Sequence, residues 1–258
     1  MSTHTDTAPR AASGSGTPAR GMDWARKVAL AGGVLYLVTF AASIPQLKLF
    51  ADLVNDPVAF INGAGSLTPV RVGLWLELVT AASTIGTAVA LYPITRRVSR
   101  TAAIGYVTSR VVEGALIAVG VVALLAAITL RGELAGATGA QADALNVTGQ
   151  ALVSLRQWTF LVGPGVIPGI NALFLGYVMY KSGLVPRLIP TVGLIGAPLI
   201  LISATATIFG VWDQTSSLGA LFAFPIAAWE LSVGLWMTVK GFRPAAVAAL
   251  EDVVATAT

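Results

Sequence analysis

Residues 101–130, TAAIGYVTSRVVEGALIAVGVVALLAAITL, form a long apolar run that carries Arg110 and Glu113 well inside it. A run of this length reads as a membrane-spanning helix with room to tilt. Three residues apart on a helix, the two side chains share one face. A charge at bilayer depth costs about 2.5–3.5 kcal/mol on insertion scales, so such residues turn toward a bundle interior or a cavity. The run therefore demands partner helices, and some of them must bring compensating polar groups.

Those partners are visible in the rest of the chain. It has 258 residues, 55% hydrophobic and only 11% charged, whereas soluble domains carry about 25% charged residues. Further apolar runs at residues 28–44, 72–92, 151–180, 188–211 and 218–239 bring the expected spans to six. The first follows Arg26 and Lys27, and Ala41-Ala42-Ser43 resembles a signal-peptide cleavage site. It is long for a signal sequence and flows into an amphipathic stretch, so it reads as a retained helix. Residues 1–24, rich in Ser, Thr, Gly, Ala and Pro, read as a disordered cytoplasmic tail. Residues 25–243 then form one six-span membrane domain, and residues 244–258 a short cytoplasmic tail.

Orientation follows from the basic residues. With the N-terminus inside, the cytoplasmic segments hold eleven: Arg10, Arg20, Arg26, Lys27, Arg96, Arg97, Arg100, Lys181, Arg187, Lys240 and Arg243. The outer segments hold three, Lys48, Arg71 and Arg131. The positive-inside rule thus gives an all-α bundle of six transmembrane helices with both termini in the cytoplasm.

The connections carry signals of their own. Leu47, Phe50, Leu53 and Val54 recur at helical spacing, which predicts a short interfacial helix, broken by Asp56-Pro57 and Gly63-Ala64-Gly65. That segment reads as a surface connector or as a lid over a cavity. Residues 131–150 read as a polar loop, with Thr138 and Gln141 spaced for a capping box that would start the fourth helix early. Within the fourth span, Gly163-Pro164-Gly165 and Pro168-Gly169 predict a kink or a break. Broken helices line sites in transporters, while isolated kinks are common packing features.

Five ionisable residues fall inside the spans: Glu77, Arg110, Glu113, Arg156 and Glu230. Unpaired, they would cost about 12–18 kcal/mol together, more than the stability of most domains. They must compensate one another or be hydrated. The expected pairs are Arg110 with Glu113 or Glu230, and Arg156 with Glu77. Helix rise puts all five between the outer boundary and the midplane, so a single outward-facing polar chamber is expected. Three acids against two arginines leave one carboxylate over, to be protonated or to hold a cation. Trp75 and Trp158 read as interfacial belt residues. Trp229 is too deep for that and is expected, with Asn171, as a neighbour of the charges.

The sequence contains no cysteine, and its one histidine, His4, lies in the tail. Thiolate catalysis, iron–sulfur ligation and a His-ligated haem in the bundle lack their ligands, so no metal and no cofactor is expected. Three functional readings remain. The first is binding or translocation of a small hydrophobic or cationic ligand, coupled to a proton or cation, through Glu77, Arg110, Glu113, Arg156 and Glu230. The second is an intramembrane acid–base enzyme acting on a lipid or isoprenoid, for which no nucleophile, phosphate loop or catalytic residue can be assigned. The third is a structural or accessory subunit. Membrane lipids are the expected partners and nucleic acid is not; nothing in the sequence sets the oligomeric state.

The stretches AGGVLYLVTF (residues 31–40), LWLELVTAASTIGTAVALYPITRR (74–97), GYVTSRVVEGALI (105–117), WTFLVGPGVIPGINALFLGYVMYKSGLVPR (158–187) and FPIAAWELSVGLWMTVKGFRP (224–244) resemble the bacterial membrane family described as domain of unknown function 4386. The resemblance covers nearly the whole chain after about residue 24. It implies a multi-pass protein of the bacterial inner membrane and implies no activity.

Overall fold

The computed structural model describes residues 22–214 and 216–256. The tail expected over residues 1–24 lies almost entirely outside them, and Trp24 already opens the first helix. The described chain is helical throughout: α1 (Trp24–Leu49), α2 (Ala51–Asn55), α3 (Pro57–Ile61), α4 (Leu67–Val98), α5 (Arg100–Leu134), α6 (Gly139–Phe160), α7 (Ile167–Ser182), α8 (Leu188–Ile208), α9 (Ser217–Val239) and α10 (Pro244–Thr256). A π-helical turn, Leu161–Val166, joins α6 to α7. Among the described residues six stretches are long and apolar enough to cross a membrane: α1, α4, α5, the continuous α6–α7 rod, α8 and α9. The chain is a multi-pass membrane protein.

The crossing segments close into a ring. α1 packs on α4, α4 on α5, α5 on α7, α7 on α8, α8 on α9, and α9 returns to α1. α7 also leans inward to touch α4 and α9. Without a hydrophobic drive between helices in lipid, small residues decide how closely they approach. A side chain at Gly33 of α1 would run into Gly234 O and the Thr238 backbone of α9 at 2.8 and 2.6 Å. One at Gly193 of α8 would strike the Trp229 ring at 2.6 Å.

The two ends of the ring are closed differently. At the end bearing α10, Arg26 donates to the carbonyls of Met237 and Thr238, both at 2.7 Å, meeting the unpaired C=O groups and negative dipole of α9's last turn. The Arg97 guanidinium lies 4.1 Å from the Trp24 ring, and the Trp24 indole donates to Glu251 of α10 at 2.9 Å. Buried Val247 docks α10 against the bundle core, so the segment expected as a short tail is a packed helix.

At the opposite end α4, α5 and α6 outreach α8 and α9, and a second apolar core fills the space between them. It holds Phe50, Leu53, Phe60, Ile61, Leu74, Leu124 and Val153. Residues 50–66 fold as two short helices. Asp56 caps α3 by accepting from the Ala59 N–H at 2.8 Å, and Gly63 and Gly65 take positive φ of 99° and 73° at the predicted break. Arg131 donates to the carbonyls of Gly63, Ala64 and Gly65 at 2.8–3.0 Å, pinning the turn to α5.

One expectation is corrected here and another narrowed. The polar loop over residues 131–150 shrinks to residues 135–138, because α5 continues to Leu134 and α6 starts at Gly139. Thr138 does sit at the N-cap, but its side chain makes no cap hydrogen bond. Gly163-Pro164-Gly165 does not break the fourth span. The missing Pro164 N–H is absorbed by widening one turn into a π-helix, and the rod continues.

Candidate functional site

The ring places its polar side chains on the axis. Counted from the helix ends near α10 at about 1.5 Å per residue, Glu230, Arg110, Thr87, Asn171, Tyr36 and Glu113 all lie roughly 13–20 Å in. That is the midplane of an apolar layer about 30 Å thick. They come from α9, α5, α4, α7 and α1, so five of the six crossing segments contribute.

Arg110 is the hub and is 1% exposed. Its Nη1 donates to Glu113 Oε2 at 3.2 Å. Its Nη2 donates to Glu230 Oε1 at 2.5 Å and to the Tyr36 hydroxyl at 2.7 Å. α5 and α9 are not neighbours in the ring, so the Arg110–Glu230 pair crosses its centre. The guanidinium also lies 4.9 and 5.6 Å from the Tyr36 and Tyr106 ring centres, within cation–π range. The two tyrosine hydroxyls bond each other at 2.8 Å, and Tyr106 reaches Thr87 Oγ1 at 3.4 Å. On the other flank, Asn171 Nδ2 donates to Glu113 Oε2 at 2.6 Å, while Ser109 donates to Asn171 Oδ1 at 2.5 Å. The Asn171 amide is thereby fixed with its donor on the acid and its acceptor on the serine.

A second pair lies near the opposite boundary of the apolar layer, where α8 and α9 end. Arg156 of α6 donates to Glu77 of α4, and both are buried. The guanidinium is held between the rings of Phe50 and Phe160, 5.0 and 4.6 Å from their centres. Its stem passes Gly120, where a side chain would meet Arg156 Cγ at 3.6 Å. Beside the pair is a cavity of about 10 Å³ bordered by Glu77, Leu116, Gly120, Arg156, Thr159 and Pro164. That volume holds one water molecule at most.

The structure thus forms both ion pairs expected from the sequence, with Arg110 on Glu113 and Glu230 together, and brings Asn171 among them. It does not gather all five charges in one chamber. The inward positions of α5 that serve the two sets, Glu113 and Gly120, are two helical turns apart, and each set closes locally. Trp229 is buried beside Gly193 in the apolar core between α8 and α9, one residue from Glu230 but on a different face. Trp75 and Trp158 are 70% and 53% exposed at the level of the second pair, as belt residues should be.

Tyr36, Tyr106, Ser109 and Thr87 were not singled out from the sequence. A signal existed for the tyrosines: belts place Tyr at interfaces, and a Tyr near the middle of a span needs a partner for its hydroxyl.

No curated protein and no solved structure matches the chain. A family model does match, over residues 31–241, a region that includes every residue of both polar sets. The chain belongs to the family described as domain of unknown function (DUF4386).

Proposed function

We propose that the protein is a proton-coupled carrier of a small solute in the cytoplasmic membrane of a bacterium, with the Arg110–Glu113–Glu230 set as its coupling centre. One observation supports this above all: a single guanidinium is shared by two carboxylates from opposite sides of the ring. With both acids ionised the set carries one uncompensated negative charge at the midplane, which uptake of a proton or cation cancels. The hydrogen bond between α5 and α9 at this point is the one from Arg110 to Glu230, so neutralising Glu230 would weaken the link across the ring's centre. Closed packing around the set corresponds, in this reading, to an occluded state. In this reading the end bearing α10 faces the cytoplasm, the side favoured by the eleven-to-three distribution of basic residues, and the Glu77–Arg156 pair faces outward.

Proteoliposomes containing a lumenal pH dye test the reading. Solute pools that drive proton movement with the wild type should not do so with Glu230→Gln, whose helix content and melting must match the wild type. Equal proton movement by both proteins would refute it. Because the chain has no cysteine, Lys181→Cys and Val147→Cys test the orientation. An impermeant thiol reagent outside intact cells should label only the second.

A structural lock is the second reading, favoured by the burial of Arg110, Glu113 and Asn171. An interhelical network of this kind would serve an accessory subunit equally well. It predicts no solute-dependent proton movement and a partner that co-purifies.

A further inference from the structure

The two polar sets are joined by a stripe whose middle members, Thr80 and Thr84, belong to neither. On α4, Glu77, Thr80, Thr84 and Thr87 recur at intervals of three, four and three residues, so they fall on one inward face. All four are buried, Thr84 and Thr87 completely. Successive members rise roughly 4.5–6 Å, the reach of one bridging water making two hydrogen bonds of about 2.8 Å. The stripe starts at the water-sized cavity beside Glu77 and ends where Thr87 accepts from Tyr106.

Along it, Thr80 accepts from Gln46 Nε2 and donates to Leu76 O, and Thr87 donates to Thr84 O, while other polar atoms lack partners. Among the described residues Glu77 Oε2, Thr84 Oγ1 and Arg110 Nε are buried without a hydrogen bond, as are the indole nitrogens of Trp212 and Trp236 away from the stripe. An orphaned group away from water costs about 1–3 kcal/mol. Two of them, Glu77 Oε2 and Thr84 Oγ1, lie on the stripe, and Arg110 Nε belongs to the central set; bound water is the partner that would satisfy them. From Thr87 onward the hydroxyls connect directly: Tyr106 to Tyr36, and Tyr36 to the same Arg110 nitrogen that holds Glu230.

We infer that this stripe is a proton path from the Glu77–Arg156 pair to the central acids, through water held on Thr80 and Thr84 and then through Thr87, Tyr106 and Tyr36. This deepens the carrier reading and rests on it: the coupling ion is the proton, and it enters past Glu77. In each step an oxygen takes one proton from the preceding member and releases its own to the next. One proton leaves water at Glu77 and one arrives on the Glu230 carboxylate from Tyr36. The Tyr36 hydroxyl shares Arg110 Nη2 with Glu230 Oε1 and so lies within about 5 Å of it, the span of one bridging water. The hydroxyls start turned toward the acids and end turned back, the orientation in which Tyr106 donates to Thr87. The charged and titratable groups facing the route are Arg156 from α6 at the entrance, and Tyr36, Tyr106, Arg110, Glu113 and Glu230 from α1, α5 and α9 at its end.

Time-resolved infrared spectroscopy of the full chain in nanodiscs, after photorelease of a caged proton, measures arrival at the central carboxyls. Thr84→Val removes an unpartnered hydroxyl and should slow arrival by about tenfold or more without changing the final amplitude. Thr84→Ser should keep the wild-type rate. So should Ser83→Ala, which removes a hydroxyl bonded to Thr39 off the stripe. A Thr84→Val rate equal to wild type overturns the path while leaving the carrier reading intact. A wild-type spectrum with no proton-sensitive carboxyl overturns both. If Thr84→Val fails to fold, Thr84→Ala read against Thr84→Ser decides by the same criterion.

Discussion

Each of the two arginines buried in the spans meets a carboxylate, yet the surroundings differ. Arg156 has one acid, two aromatic rings and a position at the rim of the apolar layer. Arg110 has two acids, two tyrosines and the midplane. The outer pair balances in charge, and its aromatic cover resembles that of any buried ion pair which locks two helices. The central set is overdetermined in hydrogen bonds but unbalanced in charge. A purely structural lock has no use for a second acid across the ring, since desolvating it adds cost without adding a partner cation. That asymmetry is the observation on which the carrier proposal rests.

Substitution should separate the two. Arg110→Met leaves two midplane carboxylates facing each other, and is expected to cost about 3–5 kcal/mol in denaturant unfolding of the detergent-solubilised protein. Arg156→Met, which strands one acid near the rim, should cost somewhat less, about 2–3 kcal/mol. The double variant Glu77→Gln/Arg156→Met should recover to within about 1 kcal/mol of wild type, because a balanced pair can be replaced as a unit. Failure of the double variant to recover would mean that the outer pair also binds something. Next in size, Gly193→Ala should cost about 1–3 kcal/mol by forcing the Trp229 ring out of its seat, with no effect on proton movement. Asn171→Ala removes the 2.6 Å bond to Glu113 and should cost about 1–2 kcal/mol in the same unfolding assay.

Much of this architecture was legible in the residues. Apolar runs long enough for the bilayer marked all six crossing segments, and charge economy paired Arg156 with Glu77 and Arg110 with Glu113 or Glu230; that Arg110 holds both at once was not legible. The chamber uniting them was not real, because depth read from helix rise has an error of about one turn and says nothing about which face a residue takes. Helix faces also explain Trp229: adjacent to Glu230 in sequence, it points about 100° away around α9 and packs on Gly193. The Gly163-Pro164-Gly165 turn shows the limit of local rules, since a chain can absorb a lost N–H by widening a turn as well as by breaking. The threonine stripe on α4 was written plainly at heptad-like spacing, but threonine is common in membrane helices, and only Glu77 above it and Tyr106 below it give the stripe two ends.

The account stands on the surplus acid at the ring's centre. Infrared difference spectroscopy of the purified protein across the neutral pH range, repeated on Glu113→Gln, Glu230→Gln and Glu77→Gln, addresses it most directly. The expected result is a carboxyl band whose intensity follows pH, lost or shifted in the first two variants and kept in the third. A spectrum in which no carboxyl responds, or in which the response survives in both central variants, would contradict it.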